Sequence, residues 1–246
     1  MTTIITYLTL GLCGLYILLT ALLCIGLFRL AQHTQHARPF VSVIIPAKNE
    51  EHNILSCLNA LATQTYPAHK IEIILVNDRS TDHTIKKAQL SNLPNLKVIS
   101  IEQQTHLCPK KNAIHHGILA SSGEIILTTD ADCRPEQDWI SSTTQCFTPS
   151  MGMVLGYAPL LSPTQSFPPF LSLQSLVVAA LSAGGAGIGF PLTCTGRNLA
   201  YRRQAYDAVN GFAGVGHIIG GDDVYLMNKI AQTPYQIAFN LAPRSS

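Results

Sequence analysis

The chain is short of charge. Asp, Glu, Lys and Arg make up 12% of its 246 residues, against roughly 25% in ordinary soluble domains. Lys and Arg exceed Asp and Glu by only two, and no dense basic stripe is present. That excludes a dedicated nucleic-acid binder, and no nucleic-acid partner is expected. The apolar share of 47% excludes a disordered, solvating chain. Paired cysteines are also missing. The seven cysteines stand at 13, 24, 57, 108, 133, 146 and 194, none in a Cys-x-x-Cys pair, so zinc-ribbon and redox motifs have no support. Isolated, mostly buried thiols in a reducing compartment are expected instead. There is no Gly-x-x-x-x-Gly-Lys-Ser/Thr phosphate loop, no Gly-x-Ser-x-Gly elbow and no His-Glu-x-x-His helix, which removes three common routes to catalysis.

A long uncharged run is present. Residues Met1 to Phe28 carry no charge, and Ile4 to Phe28 are almost wholly apolar. About 25 helical residues reach roughly 37 Å, against a hydrocarbon core of ~30 Å. The alternative, a secretory signal peptide, would need a basic segment before the run and a small-residue cleavage site after it; neither is present. We therefore expect a transmembrane anchor over 1–30 and a linker over 31–39. Arg29 and Arg38, with His33 and His36 between them, follow the run. The positive-inside rule then places the following domain in the cytoplasm, at the inner membrane if the source is bacterial. The anchor does not explain the charge deficit, because residues 1–30 contain a single charge, Arg29. The remainder is itself poor in charge.

Beyond the linker, apolar β-branched runs alternate with helical patterns. Strands are expected at 41–45 (stopped by Pro46), 71–76, 97–101 and 125–129. Helices are expected from about Ile54 to Leu61, Thr84 to Gln89 and Ala113 to Ala120, with Glu50 and Glu51 suited to a helix's first turn. This β-α alternation predicts an α/β fold with a mostly parallel, Rossmann-like central sheet and helices on both faces. Residues 171–192 are uncharged and rich in Gly and Ala; the glycines there weaken a span, and a segment at the membrane face or capping the cleft is expected. Residues 235–241 read as one more strand. Polar clusters at 46–50, 77–82 and 130–132 follow the expected strands, where open α/β sheets bind ligands.

Within those clusters, Asp130-Ala131-Asp132 places two carboxylates at a strand end. Hard oxygen donors there suit Mg²⁺ or Mn²⁺ shared with substrate phosphates; a solvated turn is the bland alternative. Lys110 could meet a phosphate as a point charge, or belong to a solvated basic pair with Lys111. Asp222 and Asp223 open a helix, as caps or as a general base. Thr195-Gly196-Arg197-Asn198 is a polar interruption between apolar stretches, either a substrate-lining loop or a plain turn.

Together these residues resemble the family 2 glycosyltransferases, which have a GT-A fold. Val41 to Glu51 is similar to the family's first strand and Pro-x-x-Asn-Glu turn, and Glu72 to Asp82 to its second strand and Asp-x-Ser-x-Asp loop. Pro109 to Ile114, Asp130-Ala131-Asp132, Gly196 to Arg202 and Gly221-Asp222-Asp223 complete an ordered match over about 41–232. The resemblance implies a GT-A domain over 40–246, with a nucleotide-binding part over 40–135 and an acceptor-side part over 136–246. It implies transfer of a sugar from a nucleotide-diphosphate sugar to a glycan or lipid-linked acceptor at the bilayer, by inverting single displacement. Pro46, Asn49, Glu50, Asp78, Lys110 and Asp130 would bind the nucleotide-sugar. Asp132, with Asp130, would hold a divalent cation. Asp223 would be the base with Asp222 beside it, and Gly196, Arg197 and Asn198 would face the acceptor. The family's downstream Gln-x-x-Arg-Trp block and further membrane helices have no counterpart before Ser246, so a fragment or a shorter form is expected. Three other readings of the residues stay open: a haloacid-dehalogenase-like phosphotransferase, which also uses Asp-x-Asp, a non-catalytic membrane-tethered nucleotide-binding module, and a sugar nucleotidyltransferase, whose Gly-rich N-terminal loop is missing here.

Overall fold

The computed structural model describes residues 2–30, 37–102, 107–160 and 169–242. Most of the expected linker, with His33 and His36, lies outside them, as do residues 103–106, 161–168 and 243–246 of the expected domain.

Helix α1 (Thr2–Arg29) is long and apolar enough to cross a membrane, a property it shares with signal sequences. Its threonines turn their hydroxyls back onto the chain: Thr6, Thr9 and Thr20 each donate to the carbonyl four residues earlier. Those three hydroxyls are thereby satisfied within the helix.

The α/β domain follows as β1 (Val41–Ala47), α2 (Ile54–Ala62), β2 (Ile71–Asn77), α3 (Thr84–Gln89), β3 (Leu96–Ser100), α4 (Pro109–Leu119) and β4 (Ile125–Thr128). Next come α5 (Trp139–Gln145), β5 (Met151–Gly156), α6 (Pro169–Gly187), β6 (Leu199–Arg202), α7 (Arg203–Ala208), α8 (Asp222–Ala231) and β7 (Gln236–Asn240). The seven strands form one sheet in the order β3-β2-β1-β4-β6-β5-β7. All neighbours are parallel except β6, which runs antiparallel to both β4 and β5. The expected mostly parallel α/β sheet is therefore observed.

Strand alternation divides the core in two. Val41, Val43 and Ile45 face Ile54, Leu58 and Trp139 on one side. Ile44 faces Ala113, Ile114 and Ile118 on the other, where Leu226, Met227 and Ile230 of α8 also pack. Both faces are covered, and burial of this kind explains how a domain can be so poor in charge.

Four expectations need correction. Pro46 does not stop β1, which continues to Ala47. The Ile44 carbonyl accepts from Thr129 on the β4 side, and the Ala47 carbonyl accepts from Asp78 on the β2 side. Residue 46 therefore faces the β4 side, past the last paired residue of β4, where the N–H that proline lacks has no ladder partner to miss. Glu50 and Glu51 are not in the first turn of α2, which starts at Ile54; the Glu51 carboxylate instead accepts from the His83 N–H. Helix α4 starts at Pro109, not Ala113, because proline is tolerated where the first N–H groups have no helical partner. The thiols are less buried than expected: only Cys57 and Cys194 are buried, and Cys13 and Cys24 are exposed on α1.

The glycines of α6 do not interrupt it. They let α1 cross it at backbone contact: a Cβ on Gly26 would stand 2.0 Å from the Gly184 carbonyl oxygen, and one on Gly187 2.0 Å from that of Gly26. Small residues permit such close helix crossings.

Candidate active site

Strand order reverses direction at β1, with β2 on one side and β4 on the other. At such a switch point the loops leaving neighbouring strands separate and open a crevice. Three loops border it. From β1 come Pro46 and the turn through Asn49 and Glu50. From β2 comes Asp78, and from β4 the Asp130-Ala131-Asp132 turn.

The first two loops are tied to each other. Asn49 adopts a left-handed backbone, φ 58°. Its N–H donates to Ser80 Oγ at 3.0 Å, and its Oδ1 accepts from the Thr81 N–H at 2.8 Å. Asn49 thus acts as a strut between the β1 and β2 loops. The Glu50 N–H donates to Thr84 Oγ1 at 2.8 Å, while its carboxylate accepts from Asn53 Nδ2. Asp78 is buried, and Arg79 Nε donates to its Oδ1 at 2.8 Å.

The centre of the crevice is a charge cluster. Lys110, in the first turn of α4, places Nζ 2.7 Å from Asp130 Oδ1 and 3.9 Å from Asp222 Oδ2. Burial works against the Lys110 charge, but Asp130 and then Asp222 outweigh it, and its pKa lies above the ordinary lysine value. Asp222 and Asp223 open α8 behind Gly221, which is left-handed at φ 62°. Asp223 Oδ2 accepts from the Gly196 N–H at 2.8 Å, and Oδ1 from the Val224 N–H at 2.8 Å. The expected base motif and the expected acceptor loop are therefore joined directly. Thr128 at the end of β4 donates to the Gly196 carbonyl at 3.3 Å, which pins that loop over the crevice.

Asp132 is exposed at the rim of an adjoining hollow, which is also lined by Arg134, Trp139, Tyr157 and Arg197. Among the described residues no three His, Cys, Asp or Glu side chains converge as a complete cage. The donors fit a cation that shares its shell with phosphate oxygens, since such ions need only one or two carboxylates: Asp132 is open, and Asp130 has a second oxygen beyond the one paired with Lys110.

Asn198 sits differently from the expectation of an acceptor-facing side chain. It is buried, its Oδ1 accepts from Trp139 Nε1 at 2.8 Å, and its Nδ2 donates to the Tyr157 carbonyl at 2.7 Å. It braces the hollow from behind. Sequence reasoning missed Tyr157 and Trp139. An aromatic directly after a strand, and the chain's only tryptophan, were the available signals. It also missed Lys111, which is fully buried and donates to the carbonyls of Val215, Ile218 and Gly220 at 2.9, 2.6 and 2.9 Å.

Asp222 gives a pH prediction. Burial is the largest influence and raises its pKa above the ordinary 3.8; Lys110 opposes this, and Asp223 and Asp130 add to it. The folded state then binds the proton more tightly than the unfolded one. The cost is absent well below 3.8, grows as pH rises through the folded value, and is present in full above it. Asp222→Asn is therefore expected to raise Tm at neutral pH, with a gain that shrinks towards zero near pH ~3. Melts across that range would show it, and a gain independent of pH would refute it.

A Rossmann-like, mostly parallel sheet with a carboxylate-and-lysine crevice at its switch point is the architecture of a GT-A fold. Residues 42–148 match the family model described as "Glycosyl transferase family 2", which marks that stretch as similar to the family. Glycosyltransferase AglE of Haloferax volcanii is 29% identical over 209 residues, covering 82% of this chain and 64% of that protein. The probable glycosyltransferase YdaM of Bacillus subtilis is 28% identical over 180 residues, covering 71% of this chain and 43% of that one. The chain thus spans less than two thirds of these relatives. Among solved structures, a Pyrobaculum calidifontis mannosyltransferase in complex with GDP-Man and Mn²⁺ shares the fold at TM-score 0.66 and 23% identity, covering 88% of this chain and 58% of that one. TarS of Staphylococcus aureus, residues 1–349 with UDP-GlcNAc, does so at TM-score 0.56 and 19% identity, covering 82% and 59%. The family match leaves the phosphotransferase reading without support.

Proposed function

We propose that the chain transfers a sugar from a nucleotide-diphosphate donor to a glycan or lipid-linked acceptor at a membrane, with inversion in a single displacement. The observation that carries this is the junction of Lys110, Asp130, Asp222 and Asp223 with the Gly196 loop, at the carboxyl ends of β1, β2 and β4. Glu50 and Asp78 would meet the nucleoside, with Pro46 and Asn49 shaping their loops. Lys110 would meet the phosphates. Asp132, with Asp130, would hold Mg²⁺ or Mn²⁺, which offsets charge on the leaving diphosphate. Asp223 would take the acceptor's proton, from the side where Gly196 and Arg197 line the acceptor path. Helix α1 would be a single span, with Arg29 and Arg38 keeping the catalytic domain on the cytoplasmic side.

The test is a panel of nucleotide-sugars with the protein in membranes, following nucleoside diphosphate release with Mn²⁺, with Mg²⁺ and with a chelator. We expect one donor class to be turned over and the chelator to stop it. Turnover unaffected by the chelator removes the metal role, and no release from any donor removes the transferase reading.

A further inference from the structure

We propose that the acceptor is an anionic lipid with one long apolar tail, which lies in the groove between α6 and residues 157–160 and brings its headgroup to Arg197. The proposal rests on the transferase reading above and narrows its acceptor.

The groove has two walls. Tyr157, Ala158 and Leu160 form one, and Leu171, Val178 and Ala179 of α6 form the other. It is continuous with the hollow beside Asp132, because Tyr157, Ala158, Leu160 and Arg197 line both. Two of its hydroxyls are spent on the protein. Ser182 Oγ donates to the Thr193 carbonyl at 2.7 Å, and Ser175 Oγ donates to the Ser172 carbonyl at 2.9 Å. Gln174 also borders the groove, and the rest of its lining is largely apolar and leads to a cation. Arg197 Nε donates to Thr195 Oγ1 at 3.4 Å, and Arg197 forms no ion pair among the described residues. A guanidinium without a carboxylate partner suits a phosphate headgroup.

A soluble glycan would gain little from such walls, whereas a hydrocarbon tail gains from each methylene it buries. The position of α6 supplies the second argument. No charged residue occurs from Pro169 to Gly196. The groove wall is one side of α6, and its outer side exposes Leu173, Leu176 and Val177. The same helix is crossed by α1, the one helix of membrane-spanning length among the described residues. The groove is thus built on the element in contact with the membrane-length helix, where a lipid tail is at hand.

The step balances within the site. A headgroup phosphate oxygen forms the new bond to the anomeric carbon, and the sugar–diphosphate bond breaks. The nucleoside diphosphate leaves with the electron pair, and Asp223, 2.8 Å from the Gly196 N–H beside Arg197, accepts the headgroup's remaining proton.

The experiment compares polyisoprenyl monophosphates of farnesyl and undecaprenyl length as acceptors for the full chain. The wild type is expected to favour the long tail in kcat/KM. Ala179→Trp, which fills the groove, and Leu171→Asp, which charges its mouth, are expected to cut the long-to-short ratio by about tenfold or more. Melting and nucleoside diphosphate binding identify any variant that fails to fold, and the other variant then carries the comparison. Equal use of both tails by the wild type, an unchanged ratio in the folded variants, or transfer only to a soluble oligosaccharide would each overturn the proposal while leaving the transferase reading intact. Absence of nucleotide release from every donor would instead remove the transferase reading beneath it.

Discussion

Asp223→Asn is expected to lower turnover by roughly 10²–10⁴-fold, the range for losing a positioned general base, while donor binding stays close to wild type. The carboxylate is held at both ends, by the Gly196 N–H on Oδ2 and the Val224 N–H on Oδ1, each at 2.8 Å. Asparagine has nearly the same shape and keeps a carbonyl oxygen for one of the two donors. With that oxygen turned to the Gly196 N–H, the loop should stay in place while the Val224 N–H loses its side-chain acceptor. What it loses is the capacity to take a proton. Single-turnover rates with saturating donor, beside calorimetric binding of the nucleoside diphosphate, separate the two effects. Unchanged turnover would remove Asp223 from the base role, and a parallel loss of donor binding would make it a structural cap.

Lys111→Met should give the largest loss of stability. The ammonium is 1% exposed and donates to three carbonyls of the segment before α8, with the Tyr225 ring 5.0 Å away. Methionine fills the volume and leaves the Ile218 and Gly220 carbonyls without that donor, while the Val215 carbonyl keeps the Ile218 N–H. Each buried, unpaired polar group costs about 1–3 kcal/mol, so a total of about 3 kcal/mol or more is expected. In a domain of this size that lowers Tm by roughly 6–12 °C. Turnover should fall as well, because the segment delivers Gly221, Asp222 and Asp223. Lys110→Met, one position earlier, is expected to weaken donor binding with little change in Tm, since Lys110 is a partly exposed side chain facing the crevice. Thermal melts with donor titrations on the two variants decide this. Matching profiles would mean that the neighbouring lysines do not have separate roles.

These two lysines mark where sequence reasoning stops. Adjacent helical positions point about 100° apart, so one reaches the crevice and the other the protein interior, but nothing local says which. The buried strands were legible because β-branched apolar runs at 41–45, 71–76 and 125–129 have few other uses. The reversed direction of β6 was not, since antiparallel pairing with β4 and β5 depends on where a long connection returns. The acidic positions of the crevice were legible from their places after strands. The uses of Asn49 and Asn198 were not, because an amide that binds a ligand and one that braces a loop share the same chemistry. Pro46 misled for a related reason: its missing donor matters only on a side where a neighbouring strand continues.

The crossing of α1 and α6 makes the membrane-length helix a packed part of the domain. With the Gly26 and Gly187 backbones nearly touching, the domain cannot swivel freely about Leu30 as a tethered ball would. A side chain at Gly26 or Gly187 would force the two helices apart at that crossing. Cutting α1 away would bare the Gly184–Gly187 surface to water and invite self-association. Those glycines thus fix how α1 and the domain are set against each other.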